Sequence, residues 1–385
     1  MVAFVAMMVL PVATGTGGSL FITDHDINIM LVVAVILLAV FAATRPDANA
    51  AGDAALLFGA HAAGALTLWF LPAAVAAGTA AASAASAAGS STFLARLAAA
   101  PAFWALALLS WLLAWQLVSR LALSRGHSPA SALILKVFVP FLFGLWLLFL
   151  WEVIVRGFGV PFVILPPPSA IGAKFAASTA TLLADFRQTF LKAVLAGYAI
   201  GCLSGFLVAI VADRVAFLKR GLLPIGNLVS ALPIIGIAPI MVMWFGFDWH
   251  SKAAVVAIMT FFPMLVNTLA GLAASEAMQR DLMQTYAASH LQSLFKLRLP
   301  AALPFIFNAL KINSTLAMIG AIVAEFFGTP VVGMGFRIST EVGRMNIDMV
   351  WAEIAVAAVA GSAFYGLVAL IERASTFWHP SFRQS

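Results

Sequence analysis

Residues 281–304 read DLMQTYAASHLQSLFKLRLPAALP. This polar segment stands between two apolar runs, Ala253–Ala274 and Phe305–Phe327, and it closes on Pro300 and Pro304. Each flanking run matches the roughly 20 helical residues needed to cross about 30 Å of hydrocarbon. A polar stretch between two such runs turns the chain round at a membrane surface, which makes the protein a multi-span helical one.

Composition agrees. Of 385 residues, 63% are hydrophobic and only 9% are charged, and the mean hydropathy is +1.05. Soluble domains carry about 25% charged residues, because water must wet their surface. Here lipid does that work, so the expected class is an all-α integral membrane protein in contact with the bilayer. Helices satisfy their own backbone hydrogen bonds in a medium that offers none.

About ten runs pass the length test. They are Met1–Ile22, Asn28–Thr44, Ala54–Ala77, Ala102–Val118, Val137–Val155, Phe190–Ala212, Leu222–Phe247, Ala253–Ala274, Phe305–Phe327 and Met349–Ile371. The first two carry the weakest signal. Met1–Ile22 lacks the basic start and small-residue cleavage site of a signal peptide, which favours an uncleaved span.

The net charge of +6 comes from 21 Lys and Arg spread along the chain. They gather between apolar runs, which reports orientation and gives no reason to expect nucleic acid. Arg120, Arg125 and Lys136 precede one run, and Arg214, Lys219 and Arg220 follow another. Arg280, Lys296 and Arg298 flank or lie within 281–304, and Arg373 and Arg383 follow the last run. Alternating crossings put all of these on one side, so the loop and the C-terminus are expected to be cytoplasmic.

On the other side, the triple proline Pro166–Pro168 predicts an extended passage. The Gly-rich stretch 329–346 is too polar to span and reads as a segment that dips in and returns. Residues 78–100, rich in Ala, Ser and Gly, read as a flexible linker. Loops lengthen after about residue 130, which gives an N-terminal appendage, 1–130, and a second part, 131–385.

Within 281–304, Leu291, Leu294 and Phe295 fall at helical spacing and share a predicted face. Thr285 to Ser289 supplies small residues suited to a bend between two short helices, and the prolines fix re-entry into the next span. This is a short amphipathic element presented at the membrane surface, either docking a partner or lying among lipid headgroups.

The segment resembles the EAA loop of bacterial ABC-importer permeases. Asp281-Leu282-Met283 stands at the Glu-Ala-Ala place and Ala287 at the Gly place, and Leu299-Pro300 closes the motif. Because Ala resists positive φ, a bend with ordinary dihedrals is expected. LWEVIVRGFGVPFVILPPPSAI, ALPIIGIAPIMVMWFGF, FFPMLVNTLAGL, LPAALPFIFNALK and AIVAEFFG look like successive landmarks of the nitrate/taurine/sulfonate/thiamine-precursor permeases, over about residues 135–380. The resemblance implies a six-helix ABC-importer permease core, here preceded by about four extra N-terminal transmembrane helices. It implies a homodimer in the bacterial inner membrane. It also implies two copies of a cytosolic ABC ATPase that carry the ATP and Mg, and an extracytoplasmic solute-binding protein. The expected coupling residues are Asp281, Ala287, Ser289, Leu291, Leu294, Phe295, Leu299 and Pro300. Among solutes, the stretch after Glu325 looks closest to the thiamine-precursor pyrimidine or heterocycle branch, with sulfonate or nitrate as further options.

The residues add what the chain lacks. No Gly-Lys pair occurs, so no phosphate-cradling P-loop is present, and if the transport is ATP-driven its energy source is another polypeptide. The single Cys202 excludes an intrachain disulfide. The histidines are scattered, and Gly201–Gly205 has the wrong spacing for a nucleophile elbow but suits close helix packing. No cofactor, metal or catalytic residue is assigned to this chain. Candidate path residues are the polar groups within spans, Asn227, Ser230, Asn267, Asn308 and Asn313, with interhelical bonding as the plainer role. Glu325 either joins the path or anchors a span end, and Glu152 and Glu353 share that choice. A secondary transporter or channel without an ATPase is the alternative.

Overall fold

A computed structural model describes residues 50–87, 91–123, 129–230, 233–328 and 332–378. The runs Met1–Ile22 and Asn28–Thr44 lie outside the described residues. By contacts the chain divides into two units, residues 1–171 and 172–385. Among the described residues, seven helices are long and apolar enough to cross a membrane.

In the first unit, α1 (Ala50–Ala87), α3 (Pro101–Leu123) and α4 (Pro129–Gly157) share a core, and Ala99 of the short α2 (Thr92–Ala99) packs with Ala77 of α1. Leu56, Phe70, Phe103, Leu117, Leu142, Trp146 and Val153 are buried there. The stretch read as a flexible linker is largely helical: α1 runs on to Ala87 and α2 begins at Thr92. Alanine dominates it, and alanine has the highest intrinsic helix propensity, so composition that looked loose is helix-forming. After α4 the backbone leaves helical geometry until Pro168 opens α5 (Pro168–Ala177), as the prolines require. Glu152 caps that helix, accepting from the Ser169 amide at 2.9 Å and its hydroxyl at 2.7 Å.

The second unit contains a rod of α6 (Thr179–Phe186), a π-helical segment (Arg187–Val194) and α7 (Leu195–Arg214). Next come α8 (Ala216–Ser230) and α9 (Ile234–Phe245), then the central helix α10 (Trp249–Ala273). Two short pieces, α11 (Ala277–Thr285) and α12 (His290–Ser293), lead through a second π-helical segment (Leu294–Arg298) into α13 (Leu299–Glu325). The unit closes with α14 (Met334–Gly343) and α15 (Ile347–Ser375). The run expected as one span over Leu222–Phe247 is broken. Pro233 sits in extended geometry as the N-cap of α9, and proline both removes an intrahelical bond and disfavours helix in the residue before it. At 1.5 Å per residue neither piece crosses a bilayer alone, being roughly 22 and 18 Å long.

α10 packs against both α7 and α13. The face of α7 toward it is built from Gly197, Gly201 and Gly205, one per turn. A Cβ at Gly201 would overlap Thr260 Oγ1 and the Ala257 carbonyl; one at Gly205 would overlap the Phe261 carbonyl. Close packing, expected from Gly201–Gly205, is therefore what those glycines provide. On the other side of α13, Met318 and Ala321 meet Ala360, Phe364 and Val368 of α15. Replacing Gly201 by Val should force α7 off α10, at the typical overpacking cost of about 1–3 kcal/mol or more. A lower melting temperature of the purified protein in detergent, with Gly221→Val as a milder control in open space, checks this.

Candidate functional site

Segment 281–304 forms a bracket at the end of the second unit where α7, α10 and α15 finish and α13 begins. α11 stops in a Schellman arrangement. The Ala287 amide donates to the Gln284 carbonyl at 2.8 Å and the Ala288 amide to the Met283 carbonyl at 3.0 Å. That pattern needs a left-handed residue after the cap, and Ala287 supplies it with φ +52°. The expectation of ordinary dihedrals is overturned, because satisfying two orphaned carbonyls outweighs a left-handed penalty of roughly 1–2 kcal/mol.

Ser289 then starts α12 with a capping box. Its hydroxyl accepts from the Gln292 amide at 3.3 Å, and its own amide donates to Gln292 Oε1 at 2.8 Å. The three apolar residues expected on one face part company here. Leu294 is buried, 4% exposed, among Leu272, Ala302 and Ile306. Leu291 and Phe295 are 64% and 62% exposed. On a helix those two lie only about 40° apart, while Leu294 sits on the flank of the stripe that meets the bundle. Leu294 is thus an internal anchor and leaves the proposed docking surface. Leu282, read from sequence only as a motif position, and Tyr286, not singled out there, join Leu291 and Phe295 as exposed apolar groups. Asp281 is exposed, and Leu299-Pro300 opens α13.

A second anchor was hidden from sequence reasoning. Arg298 forks onto Asp213 of α7, Nη1 to Oδ2 at 2.6 Å and Nη2 to Oδ1 at 2.8 Å. It also donates from Nε and Nη2 to the Leu272 carbonyl of α10, at 3.1 and 3.0 Å. Helix C-termini leave carbonyls unpaired and carry a negative dipole end, so a bidentate guanidinium suits both partners. One side chain ties the bracket to two spans.

At the opposite end of the unit, three successive amides that start α14 plug into the bundle. Gly333 donates to Asp185 Oδ1 at 2.6 Å, Met334 to Thr189 Oγ1 at 2.8 Å and Gly335 to Glu325 Oε2 at 2.7 Å. Thr189 in turn donates to Glu325 Oε1 at 2.7 Å, and Arg337 Nε to Asp185 Oδ2 at 2.9 Å. Glu325 is 2% exposed, enclosed by the start of α14 and not lying at an exposed span end. The stretch expected to dip and return is, over 334–343, a helix whose start is sheltered by these groups; residues 329–331 lie outside the described residues. Glu353 is buried beside Asp185 and Arg337.

The remaining candidates scatter. Asn313 is buried and bonds α13 to the Thr260 carbonyl of α10 at 2.8 Å and to Cys202 Sγ of α7 at 3.2 Å. Asn267 donates to the Pro263 carbonyl one turn back. Both therefore make structural bonds. Asn308 is exposed, and the side chains of Asn227 and Ser230 lie outside the described residues. Among the described residues, no group of three or more His, Cys, Asp or Glu could hold a metal ion.

A sequence model of the binding-protein-dependent transport system inner membrane component matches residues 197–376. A formylaminopyrimidine transport permease protein, ThiX, of Halalkalibacterium halodurans is 31% identical over 243 residues, 62% of this chain and 95% of that protein. A probable ABC transporter permease protein of Haemophilus influenzae is 32% identical over 208 residues, 54% of this chain and 84% of that protein. The chain belongs to this permease family. A riboflavin transport system permease protein, RibX, of Chloroflexus aurantiacus is 28% identical over 236 residues, 61% of this chain and 88% of that protein. The protein is accordingly a multi-pass inner-membrane permease of an ABC importer for small solutes.

The left-handed alanine gives this permease a testable local strain. Ala287→Gly should raise its stability by about 0.5–1 kcal/mol, since glycine adopts positive φ freely but loses more entropy on folding. Ala287→Val should lower it. Thermal unfolding of the two purified variants against the parent checks both signs.

Proposed function

We propose that the chain works as one of two identical permease subunits, with 131–385 as the transport core, and that segment 281–304 is the coupling element for a cytosolic ATPase. The observation that carries this is the division of labour within the bracket. Leu294 and Arg298 hold it to the bundle, while Leu282, Tyr286, Leu291 and Phe295 project from it as unpartnered apolar groups. An interfacial helix needs the exposed stripe but gains nothing from so firm a fixture. A lever needs both, because force applied to the stripe must reach the spans, and Arg298 passes it to α7 and α10. In this reading ATP and Mg bind the partner ATPase, present in two copies. An extracytoplasmic solute-binding protein delivers cargo, and the loop and C-terminus are cytoplasmic, in keeping with the Lys and Arg at that end. The best-supported cargo class is a pyrimidine or related heterocycle, the kind of solute named for the formylaminopyrimidine permease that the chain matches over 95% of that protein's length.

The bracket predicts two kinds of variant. Phe295→Ala or Leu291→Ala should fold normally and weaken ATPase binding, by about 2 kcal/mol each if they lie at an interface centre, roughly 30-fold in affinity. Leu294→Asp should fail to accumulate in the membrane, because it puts a carboxylate into a sealed core. Lys296→Ala, on the exposed side, should be mild. The measurement is co-purification of the ATPase with ATP-driven uptake, at matched permease level. Full binding and uptake in the double variant Leu291→Ala/Phe295→Ala would show that this surface is not the coupling element.

A further inference from the structure

α13 and α15 part to leave a groove of about 400 Å³. Thr315, Met318 and Ile319 line it from α13, and Gly361, Ser362 and Tyr365 from α15. Several other span hydroxyls are engaged, whereas Thr268 Oγ1 of α10 is buried without a partner among the described residues. Ser204 donates to the Ile200 carbonyl at 2.6 Å, Thr260 to the Val256 carbonyl at 2.9 Å and Ser314 to the Lys311 carbonyl at 2.7 Å. The side chains of Thr315, Ser362 and Tyr365 are all exposed. Among the described residues, their hydroxyls have no hydrogen-bond partner. A hydroxyl without a partner in hydrocarbon is costly. Three that converge on one groove mark a surface that meets water or a polar solute.

The groove also says which solute. No charged side chain lines it. The cation one turn from Thr315 on the same helix, Lys311, is held by Glu372 of α15 at 2.7 Å. Sulfonate and bicarbonate anions are recognised by free cations or by charge-assisted donors, and the groove supplies neither. It does supply three hydroxyls, an aromatic ring and a thioether, in a volume typical of small-molecule sites.

Resting on the importer reading above, we propose that the α13–α15 groove is a solute subsite of the translocation path, and that it takes a small uncharged hydrogen-bonding heterocycle in preference to a sulfonate or bicarbonate. The test uses the full assembly of permease, ATPase and binding protein in proteoliposomes. Ser362→Cys places a thiol in the groove, and the native Cys202 is buried, so labelling read on the isolated permease band reports on the groove. A formylaminopyrimidine at millimolar concentration should slow labelling at least fivefold, while taurine and bicarbonate leave it unchanged. Adding Thr315→Val or Tyr365→Phe should remove that protection. Labelling indifferent to the pyrimidine, or slowed by taurine, would overturn the proposal. So would an unreactive Ser362→Cys that cross-links to its counterpart in a second copy, since the groove would then be a protein interface. ATP-driven uptake by the parent assembly is measured in parallel. Its absence for every solute would overturn the importer reading itself, whereas intact uptake with an unprotected groove removes only the subsite.

Discussion

Hydrocarbon gives a peptide group nothing to bond with, and each buried orphan amide or carbonyl costs several kcal/mol. Regular helices meet that constraint along their length and fail it at their ends. The second unit is organised around its ends for that reason. At one end Arg298 takes the Leu272 carbonyl. At the other, Asp185, Thr189 and Glu325 take the three amides that open α14. Both devices reach between elements distant in sequence, so the groups that finish one helix also fix it to others. Packing follows from this, with the glycine face of α7 letting α10 approach closely enough for Asn313 to reach the Thr260 carbonyl and Cys202.

The bracket at 281–304 shows how a functional element can be both fixed and presented. Its first turn ends on a residue with an unfavourable dihedral and its second begins with a capping box. The π-helical segment Leu294–Arg298 then joins α13 without a break. Such segments are uncommon and often accompany functional sites. The other one, Arg187–Val194, contains Thr189, which donates to Glu325 and accepts from Met334. At both ends of the unit, a widened turn lies where a side chain is delivered to a neighbouring element.

Apolar length made the spans legible, and the order of landmarks made the family legible, because both are properties of contiguous sequence. The close packing at Gly201–Gly205 and the passage at Pro166–Pro168 were readable for the same reason. What escaped was long-range or directional. Asp213 and Arg298 are 85 positions apart, and no local pattern pairs them. A helical wheel puts Leu294 beside Leu291 and Phe295, but it cannot tell which edge of the stripe faces the bundle. Glu325 looked shallow by its place in a span, yet α14 folds over it. The Ala-rich 78–100 stretch misled because small residues were read as loose when alanine favours helix. Pro233 lay in plain sight inside an apolar run, where hydropathy alone overrode the breaker.

The pairing of charges differs between the ends of the second unit. Away from the bracket, Arg337 meets Asp185, Arg344 meets Glu341 and Lys174 lies 4.0 Å from Asp348. At the bracket end, Arg298 is consumed by Asp213, while Arg214, Arg220 and Lys296 are exposed and form no ion pair among the described residues. The folded unit thus has one nearly neutral rim and one rim with an excess of positive charge, which the exposed Glu276 and Asp281 offset only in part. Anionic headgroups attract such a rim by about 1 kcal/mol per residue near the surface. Lipid composition at that leaflet therefore becomes a physical variable for this protein: acidic phospholipid would gather around the bracket and form part of the surroundings in which it moves.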